Sequence, residues 1–207
     1  MCFSASASFI TGGALSAAGV VTLSESKRKG EKLFAAFPLL FGIQQIIEGF
    51  VWISFATPAL NAVSVYAYSL FSHVLWPVVT PIAVLLIEKD EARRRILRGI
   101  AFVGFVVGSY LFYSISTESV TAQIVEDSIA YRSDHLYPVM ILLLYLTATC
   151  GSCLVSSHKT VRVFGAVLLG SFAIALWLFF ATFFSVWCFF AAILSAIVHW
   201  HFKRFPV

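Results

Sequence analysis

Seven apolar stretches, at residues 6–23, 33–57, 62–87, 99–116, 136–155, 161–180 and 183–201, occupy most of a 207-residue chain. A bilayer core roughly 30 Å thick is crossed by about 20 apolar residues in a helix, so each stretch reads as a membrane span. The expected fold class is an all-α integral membrane protein, a seven-transmembrane helix bundle forming one domain over residues 1–207. With 60% of residues hydrophobic and 12% charged, no composition is left for a separate soluble domain. Function is therefore expected in the bundle or its loops.

Charge sets the direction of the spans. Of the 14 Lys and Arg, 13 lie in four short segments: around Lys27 to Lys32, Lys89 to Arg98, Lys159 to Arg162, and Lys203 with Arg204. Basic residues stay on the cytoplasmic side of short loops, which puts the N-terminus outside and the C-terminus in the cytoplasm. Arg132 alone falls outside. The last two stretches are nearly continuous, but basic residues at both ends demand an even number of crossings, hence a tight outer turn near 181–184. The net charge of +4 is explained by this topology, and no nucleic-acid partner is expected. The expected partners are the lipid bilayer and a small-molecule or lipid ligand; the expected location is a membrane, crossed several times. The oligomeric state is not legible.

The acidic segment 117–134 is the longest loop and is expected to form an outer cap or lid. Ser, Ala and Gly crowd the first span, a composition that lets helix backbones approach closely in lipid, and suggest that this helix is central. Gly104 and Gly108 repeat the small-xxx-small spacing in the fourth span. Cys150 and Cys153 read as small packing residues near the cytoplasmic end of the fifth span, not as a redox pair. The first ten residues lack the basic region of a secretory signal, so the first span is expected to be retained as an anchor.

Chemistry is expected where polar groups enter lipid. Glu48 is the one acidic or basic side chain, histidines aside, deep inside a span, at a cost of about 2.5 kcal/mol or more. It lies about eight residues, roughly 12 Å, from the outer end of its helix. Gln44 and Gln45 sit one turn before it on the same side, and Trp52 one turn after. His73 is mid-span in the third helix, with Ser69, Trp76 and Thr80 at helical spacing. Pro77 cannot donate to the carbonyl of His73, and Pro81 cannot donate to that of Pro77, so a kink and free carbonyls are expected there.

Topology brings further donors to the outer half. Cys2 precedes the first span, His135 opens the fifth, and Cys188 lies about a turn below the surface of the seventh. With Glu48 and His73 these make a candidate metal set of carboxylate, imidazoles and thiols, suited to zinc first and to copper or iron next. A haem held by His73 and His135 is a minor alternative. Ser185, Cys188, Ser195 and His199 form one stripe expected to face the bundle, whereas His199 and His201 read as an interfacial belt.

The segments from Pro38 to Trp52 (PLLFGIQQIIEGFVW) and from Ser185 to Ser195 (SVWCFFAAILS), with the opening Met-Cys-Phe-Ser-Ala, resemble a family of small bacterial multi-span membrane proteins without an assigned activity. The resemblance implies a fold and recurring Cys2, Glu48 and Cys188. Alkaline ceramidases are similar in span count only, since His199-Trp-His201 does not reproduce the His-x-x-x-His of their last helix.

The leading expectation is a buried polar, metal-binding site in the outer half of the bundle, doing hydrolytic or redox chemistry on a small or lipidic substrate. Glu48 and His73 would be catalytic, with Gln44, Gln45, Trp52, Ser69 and Trp76 binding the ligand. The metal would lower the pKa of a bound water and Glu48 would act as general base. The alternative is a non-enzymatic sensor, carrier or ligand-binding protein using the same site.

Overall fold

The computed structural model describes residues 4–125, 127–132 and 139–204, the side chains of His201, Lys203 and Arg204 excepted. Among the described residues six helices are long and apolar enough to cross a membrane, which makes this a multi-pass, all-α membrane protein. Four of them are α1 (Ala5–Glu25), α2 (Lys29–Ser54), α3 (Pro58–Ile87) and α4 (Glu91–Thr117). A shorter apolar helix follows, α5 (Val139–Val155), and then α6 (Lys159–Leu178) and α7 (Phe183–Arg204). The expected fifth span began at residue 136, and residues 136–138 lie outside the described set. The fourth starts eight residues earlier than its apolar run, because Asp90 caps it by accepting from Arg93 N at 2.8 Å and Arg93, Arg94, Arg95 and Arg98 ride in its first two turns.

The tight turn between the last two spans is a single 3-10 turn, Phe180–Thr182, entered through a non-helical Phe179. The loop expected as a cap is more ordered than its sequence suggested. It contains an antiparallel hairpin, β1 (Thr121–Val125) and β2 (Ser128–Arg132), with Val125 paired to Ser128 and Asp127 at φ 58° in the turn. Ile129 and Ala130 are buried, and Tyr131 stacks on Tyr68 of α3 with ring centroids 4.4 Å apart. Tyr131 thus fastens the hairpin to the first half of α3.

Glycines set the helix contacts. α1 packs chiefly on α2, where Gly12 and Gly42 face each other's carbonyls and Gly19 meets the backbone of Leu39. That face is glycine-rich because no Cβ fits. The rest of α1 is exposed, with only 22% of its apolar window buried against 61% for α2, so α1 is peripheral and α2 is the central helix. Small residues marked one close contact, not a central position. The fourth-span glycines behave as expected: a Cβ on Gly104 would lie 2.0 Å from Pro77 O, and one on Gly108 would meet Val78 and Val74 O. Pro81 leaves Pro77 O without its helical donor, and the bare Cα of Gly104 is what approaches that carbonyl. Cys153 packs against Gly165 of α6, the packing role expected of it.

Where a kink was expected, α3 contains a π segment, Leu70–Leu75, immediately before Trp76 and Pro77. A second, Thr147–Gly151, interrupts α5. The two helices are joined here, since Tyr145 donates its hydroxyl to Ser72 O at 2.5 Å. Wide π turns expose backbone groups and re-aim side chains.

Candidate functional site

Glu48, Gln44 and Gln45 are all fully buried on α2. Ser185 of α7 donates to Glu48 Oε1 at 2.6 Å, and Gln45 Nε2 donates to Glu48 Oε2 at 3.2 Å. Trp76 of α3 donates its indole N–H to Gln44 Oε1 at 2.7 Å. An indole can only donate, so Gln44 must turn its oxygen to Trp76 and its Nε2 away. That Nε2 has only the Cys188 thiol beside it, a weak acceptor, and Gln45 Oε1 has no hydrogen-bond partner among the described residues. Residues of α2 and α7 therefore meet at the carboxyl, and α3 reaches the neighbouring Gln44.

Cys188, one turn after Ser185 on α7, is buried and lies beside the side chains of Tyr68, Glu48 and Gln44. The expected stripe on α7 is confirmed for Ser185, Cys188 and Ser195, all buried. His199, half-buried further along the same face, reaches α1, where its Nδ1 meets Thr22 Oγ1 at 2.7 Å.

His73 sits inside the π segment, with Nδ1 at 3.1 Å from Ser69 O and 2.5 Å from Ser72 Oγ. A carbonyl only accepts, so Nδ1 carries the proton and Nε2 carries the lone pair. Ser69 contributes this carbonyl rather than its hydroxyl, which has no hydrogen-bond partner among the described residues. Phe184 of α7 stacks on the imidazole at 4.9 Å. Neighbouring α7 residues thus reach both candidates: Phe184 touches His73 and Ser185 touches Glu48.

Beyond this cluster is a cavity of about 20 Å³, room for roughly one water. Trp76, Thr80, Tyr145, Trp187 and Cys188 are among its walls. Trp76 is itself held by stacking on Phe41 at 3.8 Å. Of the expected ligand-binding residues, Gln44, Gln45 and Trp76 come together. Trp52 is only half-buried, and its Nε1 has no partner among the described residues.

The metal expectation fares less well. Among the described residues no three His, Cys, Asp or Glu side chains converge as a metal site would require, so Glu48, His73 and Cys188 do not form one by themselves. Cys2 and His135 lie outside the described residues.

Sequence reasoning missed two participants. Ser185 was read as a stripe residue, although its position one turn before Cys188 places it on the same inward face. Tyr68 gave no signal, because its approach to Cys188 depends on how α3 and α7 cross. A third polar centre was also missed, at the opposite end of the bundle. Glu88, just past the end of α3, accepts five hydrogen bonds: from Lys89 N, Asp90 N and Ser157 Oγ on Oε1, and from Ser157 N and Ser156 Oγ on Oε2. Burial alone raises its pKa, but the donors of Ser157, Asp90 and Lys89 outweigh burial and hold it at about 2 against an ordinary 4.5.

No curated protein and no solved structure matches the chain, so the likeness in span count to alkaline ceramidases gains no support from either. A family model described as "Family of unknown function (DUF6629)" matches residues 1–206, essentially the whole chain, and the protein belongs to that family.

Proposed function

We propose that this is a seven-span protein of the bacterial inner membrane, N-terminus outside and C-terminus cytoplasmic, whose buried cluster around Glu48 binds a small polar ligand or ion in a sensor or carrier role. The observation that carries this reading is the under-satisfied amide pair flanking a buried carboxyl: Gln45 Oε1 has no partner among the described residues, and Gln44 Nε2 faces only the weakly accepting Cys188 thiol. In a water-free interior each unmade hydrogen bond costs about 1–3 kcal/mol, and a ligand bonded to both removes that cost. The nearby cavity, about 20 Å³ and walled mainly by aromatic side chains, is far too small for a lipid.

The test is thermal melting of the purified protein, followed by tryptophan fluorescence, against a panel of monovalent and divalent cations, zinc, copper, iron and small neutral solutes. At least one of these is expected to raise the midpoint of the wild type and leave Glu48→Gln and Gln44→Met unmoved. If none does so, and Glu48→Gln fails to assemble, Glu48 is interhelical glue and the proposal is wrong.

A second reading, a metal-dependent hydrolase or redox enzyme acting on a small or lipidic substrate, is favoured by the tautomer of His73, which presents the Nε2 lone pair a metal needs. It needs Cys2 and His135 to complete the donor set, with zinc the first choice. Elemental analysis of protein purified without chelator decides it, and a stoichiometric metal lost on Glu48→Gln is the expected result under this reading.

A further inference from the structure

An opening at the basic end of the bundle lies where several chain segments meet. It is a cleft of about 460 Å³ between the start of α2, the end of α3 and the residue preceding α6. Phe34 and Phe202, both buried, form its floor with ring centroids 6.5 Å apart. Leu86, half-exposed on α3, stands at its edge facing outward from the bundle. Gly30 brings the α1–α2 connection onto α3, since a Cβ there would lie 2.9 Å from Leu86 O.

The rim is cationic. Arg28, Lys89 and Arg94 line it together with His158. Of the two carboxylates present, Glu88 is saturated by its five donors, and Glu31 pairs with Arg28 only at 3.8 Å with Arg28 half-exposed. Lys89 has no ion-pair partner among the described residues. Arg94 holds Glu88 O through NH1 and Glu91 through Nε. The wider field points the same way, with nine basic residues in 27–32 and 89–98 against five acidic ones in 25–31 and 88–91.

We infer that this cleft binds the phosphate-bearing head of an anionic phospholipid, with Arg28 and Lys89 on the phosphate and the start of an acyl chain passing over Leu86. An apolar floor beneath a basic rim is amphiphile chemistry, and the volume is that of a ligand site. A free phosphate or nucleotide would have no use for the phenylalanine floor or the outward-facing Leu86. The inference is independent of the ligand proposed for the Glu48 cluster.

The probe is phosphatidylglycerol. Wild-type protein is purified, placed in nanodiscs of phosphatidylcholine with phosphatidylglycerol, released into the gas phase, and its retained lipid counted by native mass spectrometry. Two paired variants are compared. Arg28→Gln with Lys89→Gln removes rim charges, while Lys27→Gln with Arg95→Gln removes two exposed charges of the same end that do not line the cleft. The wild type and the Lys27/Arg95 variant are expected to retain phosphatidylglycerol over phosphatidylcholine, and the Arg28/Lys89 variant to bind it about thirtyfold more weakly. Equal losses in both pairs would mean a diffuse surface field and overturn the site. So would undiminished retention in the Arg28/Lys89 variant. Displacement of the lipid by inorganic phosphate alone would make this a free-anion site and overturn the lipid assignment. A separate accessibility assay on a C-terminal tag reports the orientation, so failure of the proposed topology is distinguishable from failure of the cleft.

Discussion

Replacing Glu88 by Gln tests how the basic end of the bundle is fastened. The carboxylate ties the end of α3 to the α5–α6 connection, and two further bonds run alongside it: Arg93 NH1 to Val155 O, and His158 Nε2 to Ile87 O. Holding a buried carboxyl at about 2 instead of 4.5 corresponds to about 3 kcal/mol at ~1.4 kcal/mol per pH unit. Gln keeps the shape and one accepting oxygen, but its NH₂ faces Ser157 N–H, which can only donate. The expected outcome at pH 7 is a loss of about 3 kcal/mol, read as a lowered melting midpoint in detergent. Because the folded-state pKa is depressed, the stabilisation is fully present above pH 4.5 and disappears as pH falls toward 2. The gap between wild type and Glu88→Gln should therefore narrow over that window. A gap that stays constant down to pH 2, or no gap at pH 7, would refute the assignment of the stability to the ionised carboxylate.

Other outcomes are as specific. Gly104→Ala drives a Cβ into Pro77 O and should cost at least about 1–3 kcal/mol, whereas Gly99→Ala on the same helix meets nothing and should stabilise by about 0.5–1 kcal/mol in the same melting assay. Asp127→Gly should be tolerated at φ 58°, and Asp127→Val should lower the midpoint by the equivalent of about 1–2 kcal/mol, because a β-branched residue resists that backbone region. Trp76→Phe leaves Gln44 Oε1 unpaired and should cost about 1–3 kcal/mol, with a loss of any ligand-induced stabilisation seen in the wild type.

The apolar runs made the helices legible because lipid imposes a length and a composition on each. Glu48 and the Gln44/Gln45 pair were legible for a related reason, since a carboxyl deep in a span stands out against everything around it. What the chain does not display is the meeting of helices. Ser185 is an ordinary small polar residue until α7 packs beside α2, and the bond of Tyr145 to Ser72 O joins residues 73 apart. Glu88 was hidden differently: it sits among charges that read as topology markers, and only the approach of Ser156 and Ser157 turns it into a fastening point. The central role expected of α1 failed because small side chains record how closely one face approaches a neighbour, and say nothing of the remaining faces.

The π segment at Leu70–Leu75 has a bearing on how this sequence tolerates change in length. A wide turn accommodates one residue more than the α-helical path needs, and each residue turns a helix by about 100°. Removing a single residue between positions 70 and 75 would restore an ordinary α-helix and leave the faces on either side of it in register, because the wide turn already absorbs the extra residue. Trp76 would then keep its place opposite Gln44, whereas the His73 imidazole, which the π segment aims, would lose its position against Ser69 O and Phe184. A shortened variant should therefore keep its fold and the Gln44–Trp76 bond while losing the histidine arrangement.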